Sequence, residues 1–394
     1  MCIFVLWNMR SHWIFKILLL NSLLMSQVAF SAHAVETDSV VKRRNIIQKI
    51  SDYLAESDKP DSTKKVDFGI LGGPHYASDS GLGLGLVASG LYSMDRSDSL
   101  LPLSNVSLYG DITTNGFMLI GLRGNNFFPH QKYRMDYRFY VYTFPSYFWG
   151  IGYDNGLKDD NKSKYRRLKL DVMSRFLFKL GKSAYIGPMA DYSFVRAYRF
   201  ENRAEELLAG HSHLIRTCGA GLSFMYDTRD FILNASRGWF MQFDVLYNPA
   251  FLGNEHTFST VDFSACSYRK VWQGGILAGE FHTRQNAGTV PWTQLSEVGS
   301  SNRMRGYYEG RYRDKNIVEV QLELRQRIWK RHGMVVWLAA ANVFPEYKEL
   351  QFKRTLANAG IGYRWEFKKR VNVRLDYGFT RDGGGFLFNI NEAF

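Results

Sequence analysis

The chain of 394 residues has only three cysteines and nine prolines, and no long apolar run follows its N-terminal segment. Cys218 and Cys266, the two cysteines beyond that segment, have neither metal-motif spacing nor the number that a disulfide framework needs. No apolar stretch approaches the ~20 residues of a membrane-spanning helix. These absences exclude a disulfide-stapled small domain and a helical membrane protein.

Recognisable motifs for catalysis and nucleic-acid binding are also missing. The chain contains no Gly-x-Ser-x-Gly elbow, and His211 and His213 have no third metal ligand at a recognisable spacing. The formal net charge of +13 is spread along the sequence and not concentrated in a basic cluster. We therefore expect no enzyme activity, no metal, no cofactor and no nucleic-acid partner. Anionic lipid and lipopolysaccharide remain as partners for a basic surface.

The N-terminus has the order of features found in a secretory signal. Basic residues precede an apolar core at Ile17–Met25, and Ala32-His33-Ala34 supplies the small residues of a cleavage site. We interpret residues 1–34 as a signal peptide, with Met1 or Met9 as the start. The alternative, a membrane anchor, requires a longer apolar run of ~20 residues.

Residues 35–65 are polar and charged, with apolar residues at roughly helical spacing. They are too few for an accessory domain of ordinary size. The segment is therefore a periplasmic helix or linker, and either a spacer role or a plug or docking role is open to it.

From about residue 66 onward the apolar residues alternate with polar ones, as in β-strands. In residues 371–380, Val371, Val373, Leu375, Tyr377 and Phe379 share one face, and Asn372, Arg374, Asp376, Gly378 and Thr380 share the other. Strands of ten or more residues with aromatic ends and charged inner faces are typical of a membrane barrel. The sequence therefore predicts an all-β fold, a transmembrane antiparallel β-barrel over residues 66–394.

The alternation predicts about sixteen strands, of which the one at residues 295–301 has the weakest pattern. The predicted strands lie near residues 81–93, 103–114, 116–124, 132–142, 164–180, 184–199, 213–227, 238–247, 257–270, 274–284, 295–301, 316–329, 333–344, 355–367, 371–381 and 385–394. In the last of them Phe394 shares a face with Phe386, Phe388 and Ile390, and a terminal aromatic of this kind is a typical ending for an outer-membrane barrel.

Several stretches resemble the bacterial surface-antigen barrels, the superfamily of the BAM and TAM assembly factors. Tyr226-Asp227-Thr228-Arg229-Asp230 with Arg237-Gly238-Trp239 is similar to a strand end and turn of that family. Met304-Arg305-Gly306-Tyr307 is similar to its Arg-Gly-Phe/Tyr loop, and Gln321-Leu322-Glu323-Leu324-Arg325 to the following strand. The terminal Phe394 matches the family's ending. The resemblance implies an outer-membrane barrel that acts in protein, or lipid, insertion or translocation.

The chain departs from the family pattern at two places. Residues 35–65 leave no room for the periplasmic repeat domains that precede the barrel in members with an insertase role. In addition, Trp337 to Ala341 stand where the family usually has Phe-x-Asp-x-Gly, so that Ala339 takes the place of an acidic residue. That acid would help to hold the loop arginine.

The stretch Asn302–Asp314 carries four arginines and three tyrosines, and a strand follows it. Strand parity directs Glu323 into the lumen, and a buried guanidinium needs a carboxylate partner. We expect the loop to fold back into the barrel and to be held by a latch of Arg305, Gly306, Tyr307 and Glu323, with Gly306 allowing close backbone approach. The alternative is a solvated extracellular loop.

Two further sites follow from strand position. Asp227 and Arg229 point inward near a strand end, and with Asp230 they form a candidate lumen ion pair, with a structural or a gating role. Gly81, Gly83 and Gly85 lie on the predicted first strand, where glycine weakens a strand. They predict either a seam against the last strand that opens for incoming strands, or a bend that lets the barrel close.

The resemblance and the seam together predict a function in insertion or translocation at the outer membrane of a Gram-negative bacterium. The partners would be outer-membrane lipid and lipopolysaccharide, and also unfolded client proteins or a separate periplasmic protein. A passive or plugged channel is the alternative.

Overall fold

A computed structural model describes residues 67–77, 81–95, 97–98, 101–368 and 371–394. The predicted signal peptide, both candidate start residues and the segment 35–65 lie outside these residues. Within the described ranges nearly all regular structure is β-strand, so the predicted all-β class is confirmed.

Sixteen strands form one large sheet. They are β1 Asp67–Ala77, β2 Gly81–Tyr92, β3 Ser104–Thr113, β4 Met118–Phe127, β5 Tyr133–Phe148, β6 Ser163–Lys179, β7 Ala184–Tyr198, β8 Leu214–Asp227, β9 Gly238–Asn248, β10 Phe258–Trp272, β11 Gly275–Gly288, β14 Asn316–Trp329, β15 His332–Phe344, β16 Leu356–Lys368, β17 Val371–Thr380 and β18 Gly383–Ile390. A separate two-stranded sheet pairs β12 (Ser296–Glu297) with β13 (Arg313–Asp314).

The large sheet is an antiparallel meander in sequence order, with β12 and β13 left out. The ladder order ends at β1 and β18, and Cα atoms of these two strands come within 8 Å of each other. The strand total of sixteen agrees with the prediction, but two assignments differ. Residues 67–77 form a barrel strand that the alternation missed, and the predicted strand at 295–301 is the short β12 inside a loop.

The helices are single turns. The α-helices are α1 (Tyr153–Gly156) and α2 (Ala204–Leu207). The 3₁₀-helices are Pro129–Gln131, Asp159–Asn161, Ala250–Leu252, Trp292–Gln294, Tyr347–Glu349 and Phe352–Arg354. None of the helices in the described part of the chain has the length and hydropathy to cross a membrane.

The two faces of the sheet have opposite character. Leu322 and its cross-strand partner Leu338 face outward with exposed fractions of 50 % and 66 %, whereas Glu323, the residue after Leu322, faces inward with 0 %. Exposed apolar side chains around a polar interior reverse the arrangement of a soluble protein. They match a barrel whose outer surface contacts lipid and whose inner groups bond with one another.

Connections differ at the two ends of the strands. At one end lie the long connections 149–162, 199–213, 249–257, 289–315 and 345–355. Those at the other end are mostly shorter, and the N-terminal start of β1 and the end of β18 lie at this same end because the strands alternate in direction. The loop 289–315 links β11 to β14 and carries the stretch that resembles the family loop.

Candidate functional site

The loop 289–315 folds back against the inner wall of the barrel. Its own scaffold is the β12–β13 pair, extended by backbone hydrogen bonds from the Val298 nitrogen to the Tyr312 oxygen at 2.9 Å and from the Gly310 nitrogen to the Val298 oxygen at 3.1 Å. The side chains of Val298 and Tyr312 are both fully buried, at 0 % exposure. The loop is therefore packed inside the barrel and is not a solvated extracellular strand connection.

Arg305 lies at the tip of this loop with no exposed surface. Its Nη2 donates to Glu323 Oε2 on β14 at 2.5 Å, and its Nη1 donates to Asp376 Oδ2 on β17 at 2.8 Å. The structure thus brings together Arg305 and Glu323 as the sequence proposed. It adds Asp376, whose inward orientation the sequence indicated but whose proximity to Arg305 it did not.

Asp376 supplies Arg305 with a second carboxylate partner, although position 339 is not acidic. Ala339 lies in a hydrophobic cluster with Met304 and Tyr307 of the loop, so this part of the wall is apolar. The second carboxylate for Arg305 comes instead from a strand that the pairing of β15, β16 and β17 places two strands further along the sheet. Arg305 therefore has two carboxylate partners although position 339 is not acidic.

Neighbouring groups fix the orientation of Arg305. The guanidinium carbon lies 3.7 Å from the centroid of the Trp337 ring, a cation–π contact. Trp337 Nε1 donates to Asn358 Oδ1 at 2.8 Å, and Asn358 Nδ2 donates to the Arg305 carbonyl oxygen at 2.7 Å. Both the guanidinium and the backbone of Arg305 are therefore held by side chains of the wall.

The two residues after Arg305 allow the loop to touch the wall. Gly306 has φ +102°, and a Cβ there would lie 2.5 Å from the carbonyl oxygen of Gly378 on β17, a distance that atoms do not tolerate. The Tyr307 hydroxyl donates to the Ala357 carbonyl oxygen at 2.9 Å. The geometry accounts for glycine at 306 and for a hydroxylated aromatic at 307.

The carboxylates of the site are shared among several arginines. Glu323 Oε1 accepts from Arg325 Nε at 2.7 Å, and Asp376 Oδ1 accepts from Arg364 Nη1 at 2.6 Å. Arg374 Nε lies 3.6 Å from Asp376 Oδ2. Asp376 is therefore the point at which three guanidinium groups meet.

The β12–β13 end of the loop has its own ion pair. Arg313 Nη1 lies 2.8 Å from Glu297 Oε1, and the Arg313 guanidinium lies 4.9 Å from the ring centroid of Phe148 on β5. Burial raises the pKa of Glu297, but the guanidinium groups of Arg313 and Arg167 outweigh burial and hold that pKa below its ordinary value. The Arg313–Glu297 pair thus joins β12 to β13 at the base of the loop.

The C-terminal residues correct one prediction. The last strand ends at Ile390, and Asn391 adopts φ +70°, which turns the chain inward. Glu392 Oε2 then accepts from Arg364 Nε at 2.8 Å, and the Phe394 carbonyl oxygen accepts from Arg325 Nη2 at 2.8 Å. Phe394 thus packs among inward-facing residues and does not continue the lipid-facing row, because a strand extended that far would set the charge of Glu392 against lipid.

Asp227 and Arg229 form the predicted ion pair contact. Arg229 Nη2 donates to Asp227 Oδ2 at 2.8 Å, and Arg229 Nε donates to Asp227 Oδ1 at 2.9 Å. Asp230 accepts hydrogen bonds from the Ser236 nitrogen and hydroxyl at 2.8 and 2.7 Å. The three residues thus hold the turn between β8 and β9.

The glycines proposed for the seam are misplaced by one strand. Gly81, Gly83 and Gly85 belong to β2, which pairs with β1 on one side and β3 on the other. The strand that faces β18 is β1, Asp67–Ala77. The prediction was wrong here because Gly72-Gly73-Pro74 lowers the strand signal of the true first strand.

The described ranges contain no group of three or more His, Cys, Asp or Glu side chains arranged to hold a metal ion. The ring centroids of His213 and Phe200 lie 4.5 Å apart. Cys218 and Cys266 are free thiols.

A sixteen-stranded meander with a loop locked against its inner wall defines a class: an outer-membrane β-barrel with a lumen-inserted latch loop. Residues 122–394 match the model of the Omp85 superfamily domain. The chain belongs to the Omp85 superfamily. It is therefore an outer-membrane barrel of the insertion or translocation type, found in Gram-negative bacteria, and the resemblance seen in the sequence is confirmed.

Solved structures support the fold. BamA from Haemophilus ducreyi lacking POTRA domains 1–3 superposes with a TM-score of 0.55 at 14 % identity, over 95 % of this chain and 78 % of that one. CdiB from Escherichia coli gives 0.55 at 13 % identity, over 83 % of this chain and 60 % of that one. CdiB from Acinetobacter baumannii gives 0.53 at 11 % identity, over 84 % and 60 %. No curated protein matches the sequence.

Proposed function

We propose that this protein assists the insertion of proteins, or lipids, into the outer membrane, or their translocation across it, and that the edge between β1 and β18 is where it acts. The observation that carries the proposal is the combination of a loop packed against the inner wall with a sheet whose ladder order ends at those two strands. A client strand would pair with an edge of this seam through backbone hydrogen bonds.

The lengths of the two seam strands support this proposal. β1 has 11 residues and β18 has 8, because the chain turns inward after Ile390. β18 is therefore too short to pair with β1 along its whole length. An edge strand that lacks a full-length partner is a template for pairing with another chain.

The latch would keep the lumen closed while the seam works. Arg305 contacts β14 and β17, and Asn358 on β16 holds its carbonyl oxygen, so the loop ties β17, the strand that pairs with β18, to β14 and β16. In this proposal Arg305, Gly306, Tyr307 and Glu323 have a supporting role: they keep the wall beside β18 rigid, so that movement is confined to the seam itself.

The remaining assignments complete the proposal. Residues 1–34 would be removed as a signal peptide, residues 35–65 would lie in the periplasm, and the barrel would begin near residue 66. Outer-membrane lipid and lipopolysaccharide would surround the barrel, and unfolded clients or a separate periplasmic protein would be its partners. The Asp227–Arg229 pair would shape the lumen near the β8–β9 turn. We propose no catalytic step.

The second candidate function is a plugged channel. Arg138, on the inner face of β5, has 41 % of its side chain exposed, so the wall opposite the latch is wetter than the latch itself. A solute path along that wall would conduct without any effect on clients.

One experiment separates the two functions. The mature chain is reconstituted in liposomes, and both ion conductance and the folding rate of a urea-denatured client barrel are measured. Faster client folding than in empty liposomes, with little conductance, supports insertion. Conductance without any effect on folding contradicts it. Liposomes containing a barrel of similar size from outside the family control for general membrane defects.

A further inference from the structure

The loop carries a further arginine contact, two residues before Arg305, that belongs neither to the latch nor to the Arg313–Glu297 pair. Arg303 faces β10, β11 and β14, whereas Arg305 faces β14 and β17. We infer that Arg303 is a positioning residue: with Glu280, Ser264 and Gln321 it forms a second anchor that holds residues 298–303 in the lumen independently of the latch.

The contacts of Arg303 are charge-assisted, and 31 % of its own side chain is exposed. Its Nε and Nη2 donate to the same oxygen, Glu280 Oε1, at 2.8 and 2.7 Å, and Nη2 also donates to Ser264 Oγ at 3.0 Å. Only 4 % of the Glu280 side chain is exposed. Hydrogen bonds between ionised groups are about twice as strong as neutral ones, so this contact is comparable in kind to that of Arg305.

Further groups fix both sides of the contact. Gln321 Nε2 donates to Glu280 Oε2 at 2.5 Å and to the Asn302 carbonyl oxygen at 3.2 Å. Arg374 Nη2 donates to the Ser301 carbonyl oxygen at 2.8 Å. The backbone of residues 301–302 is therefore held by the wall in addition to the side chain of Arg303.

The local backbone directs the two arginines to different strands. The Ser300 nitrogen donates to the Arg303 carbonyl oxygen, and the Arg303 nitrogen donates to Ser300 Oγ, both at 2.9 Å, which closes a turn before the latch begins. Met304 then adopts φ +47°, a conformation that few residues other than glycine take. Because the chain reverses at Met304, Arg303 and Arg305 reach separate acids.

The two anchors have no carboxylate in common. Arg303 pairs with Glu280 and lies 3.8 Å from Glu319, while Arg305 pairs with Glu323 and Asp376. With no carboxylate in common, the two arginines should respond largely separately to substitution, because Arg374, which contacts both the Ser301 carbonyl oxygen and Asp376, stays in place in each single variant. Loss of Arg305 alone should therefore release the tip of the loop but leave residues 298–303 in the lumen, so that the loop is a fixed plug and not a gate worked by one arginine.

Hydrogen exchange in liposomes tests this inference, with peptides from residues 298–303 and from residues 305–312 followed separately. Arg305→Gln should speed exchange in 305–312 about tenfold and change 298–303 less than about twofold, because local openings reflect local contacts. Arg303→Gln should give the reverse pattern. A variant with both substitutions should expose both segments and raise conductance, whereas each single variant should conduct like the unsubstituted protein.

The control is Arg327→Gln, which removes an exposed arginine from β14, and exchange in both segments should stay unchanged. Arg303→Gln leaves the buried Glu280 carboxylate without its ionic partner. A double variant, Arg303→Gln with Glu280→Gln, therefore repeats the test without an unpaired buried charge. Equal release of both segments by Arg305→Gln alone would overturn the inference. So would unchanged exchange in 298–303 when Arg303 and Glu280 are both replaced. Neither outcome bears on client folding, so the proposed function is tested separately.

Discussion

Asp376→Asn should destabilise the barrel strongly, because one carboxylate serves three guanidinium groups. Asp376 contacts Arg305 at 2.8 Å, Arg364 at 2.6 Å and Arg374 at 3.6 Å, with none of its own side chain exposed. Removing one partner of a buried ion pair costs about 3–5 kcal/mol. Arg305 and Arg364 retain Glu323 and Glu392, but Arg374 would lose the carboxylate with which it pairs among the described residues. We expect a loss within that range.

The assay is urea unfolding in detergent micelles, followed by tryptophan fluorescence, together with the temperature at which the folded band disappears on an unheated gel. Arg305→Met should cost less than Asp376→Asn, because Glu323 keeps Arg325 and Asp376 keeps Arg364. Asp159→Asn is the matched control: its pair with Arg311 is as short, at 2.7 Å, but Asp159 is 83 % exposed, and such pairs contribute about 0–1 kcal/mol. Equal effects of Asp376→Asn and Asp159→Asn would refute the reasoning.

Two further predictions concern the loop tip and the C-terminal turn. Gly306→Ala should destabilise the protein by about 1–3 kcal/mol in the same unfolding assay, since φ is +102° and the added carbon would meet Gly378, whereas Gly110→Ala, with open space around it, is the control. Burial raises the pKa of Glu392, but the guanidinium groups of Arg364 and Arg325 together outweigh burial and hold that pKa below its ordinary value. A carboxyl whose pKa is lower in the folded than in the unfolded state stabilises the folded protein above its ordinary pKa of ~4.3, and this stabilisation is lost as pH falls below that value. Glu392→Gln should therefore be less stable than the unsubstituted protein at pH 7, and it should lose less stability on acidification. A Glu392→Gln variant with the same acid profile would contradict that.

Most of the barrel follows from alternation alone, because an outer face in lipid and a polar inner face impose a period of two. The exceptions have physical causes. β1 contains Gly72-Gly73-Pro74, residues with low strand propensity, so that alternation does not predict a strand there. Ser296–Glu297 alternates like a strand but pairs only with Arg313–Asp314 inside the loop.

The C-terminal sequence contains a signal against a strand that continues to Phe394. Glu392 has the same parity as Phe386 and Phe388, so a strand continued to Phe394 would direct a carboxylate into lipid. Charged groups on the lipid face are costly. The chain avoids this by turning at Asn391, which brings Glu392 to Arg364.

The candidate site could be predicted only in part. Parity identified Glu323 as an inward-facing partner for Arg305, and the structure brings them together. Parity also showed that Asp376 points inward, but which inward residues meet depends on sheet curvature and on the path of the loop. Arg305 and Asp376 are separated by 71 residues, and no local pattern relates them.

The most direct test of the proposed function maps the positions at which a client contacts the barrel. A photo-crosslinking amino acid is placed at Ile70 on β1, at Phe388 on β18, or at Leu222 on β8, three outward-facing positions with exposed fractions of 64 %, 43 % and 60 %. During the folding of a denatured client barrel in liposomes, we expect crosslinks to the client at Ile70 and Phe388 and none above background at Leu222. Equal crosslinking at all three positions, or accelerated folding without crosslinks at the seam, would contradict the account.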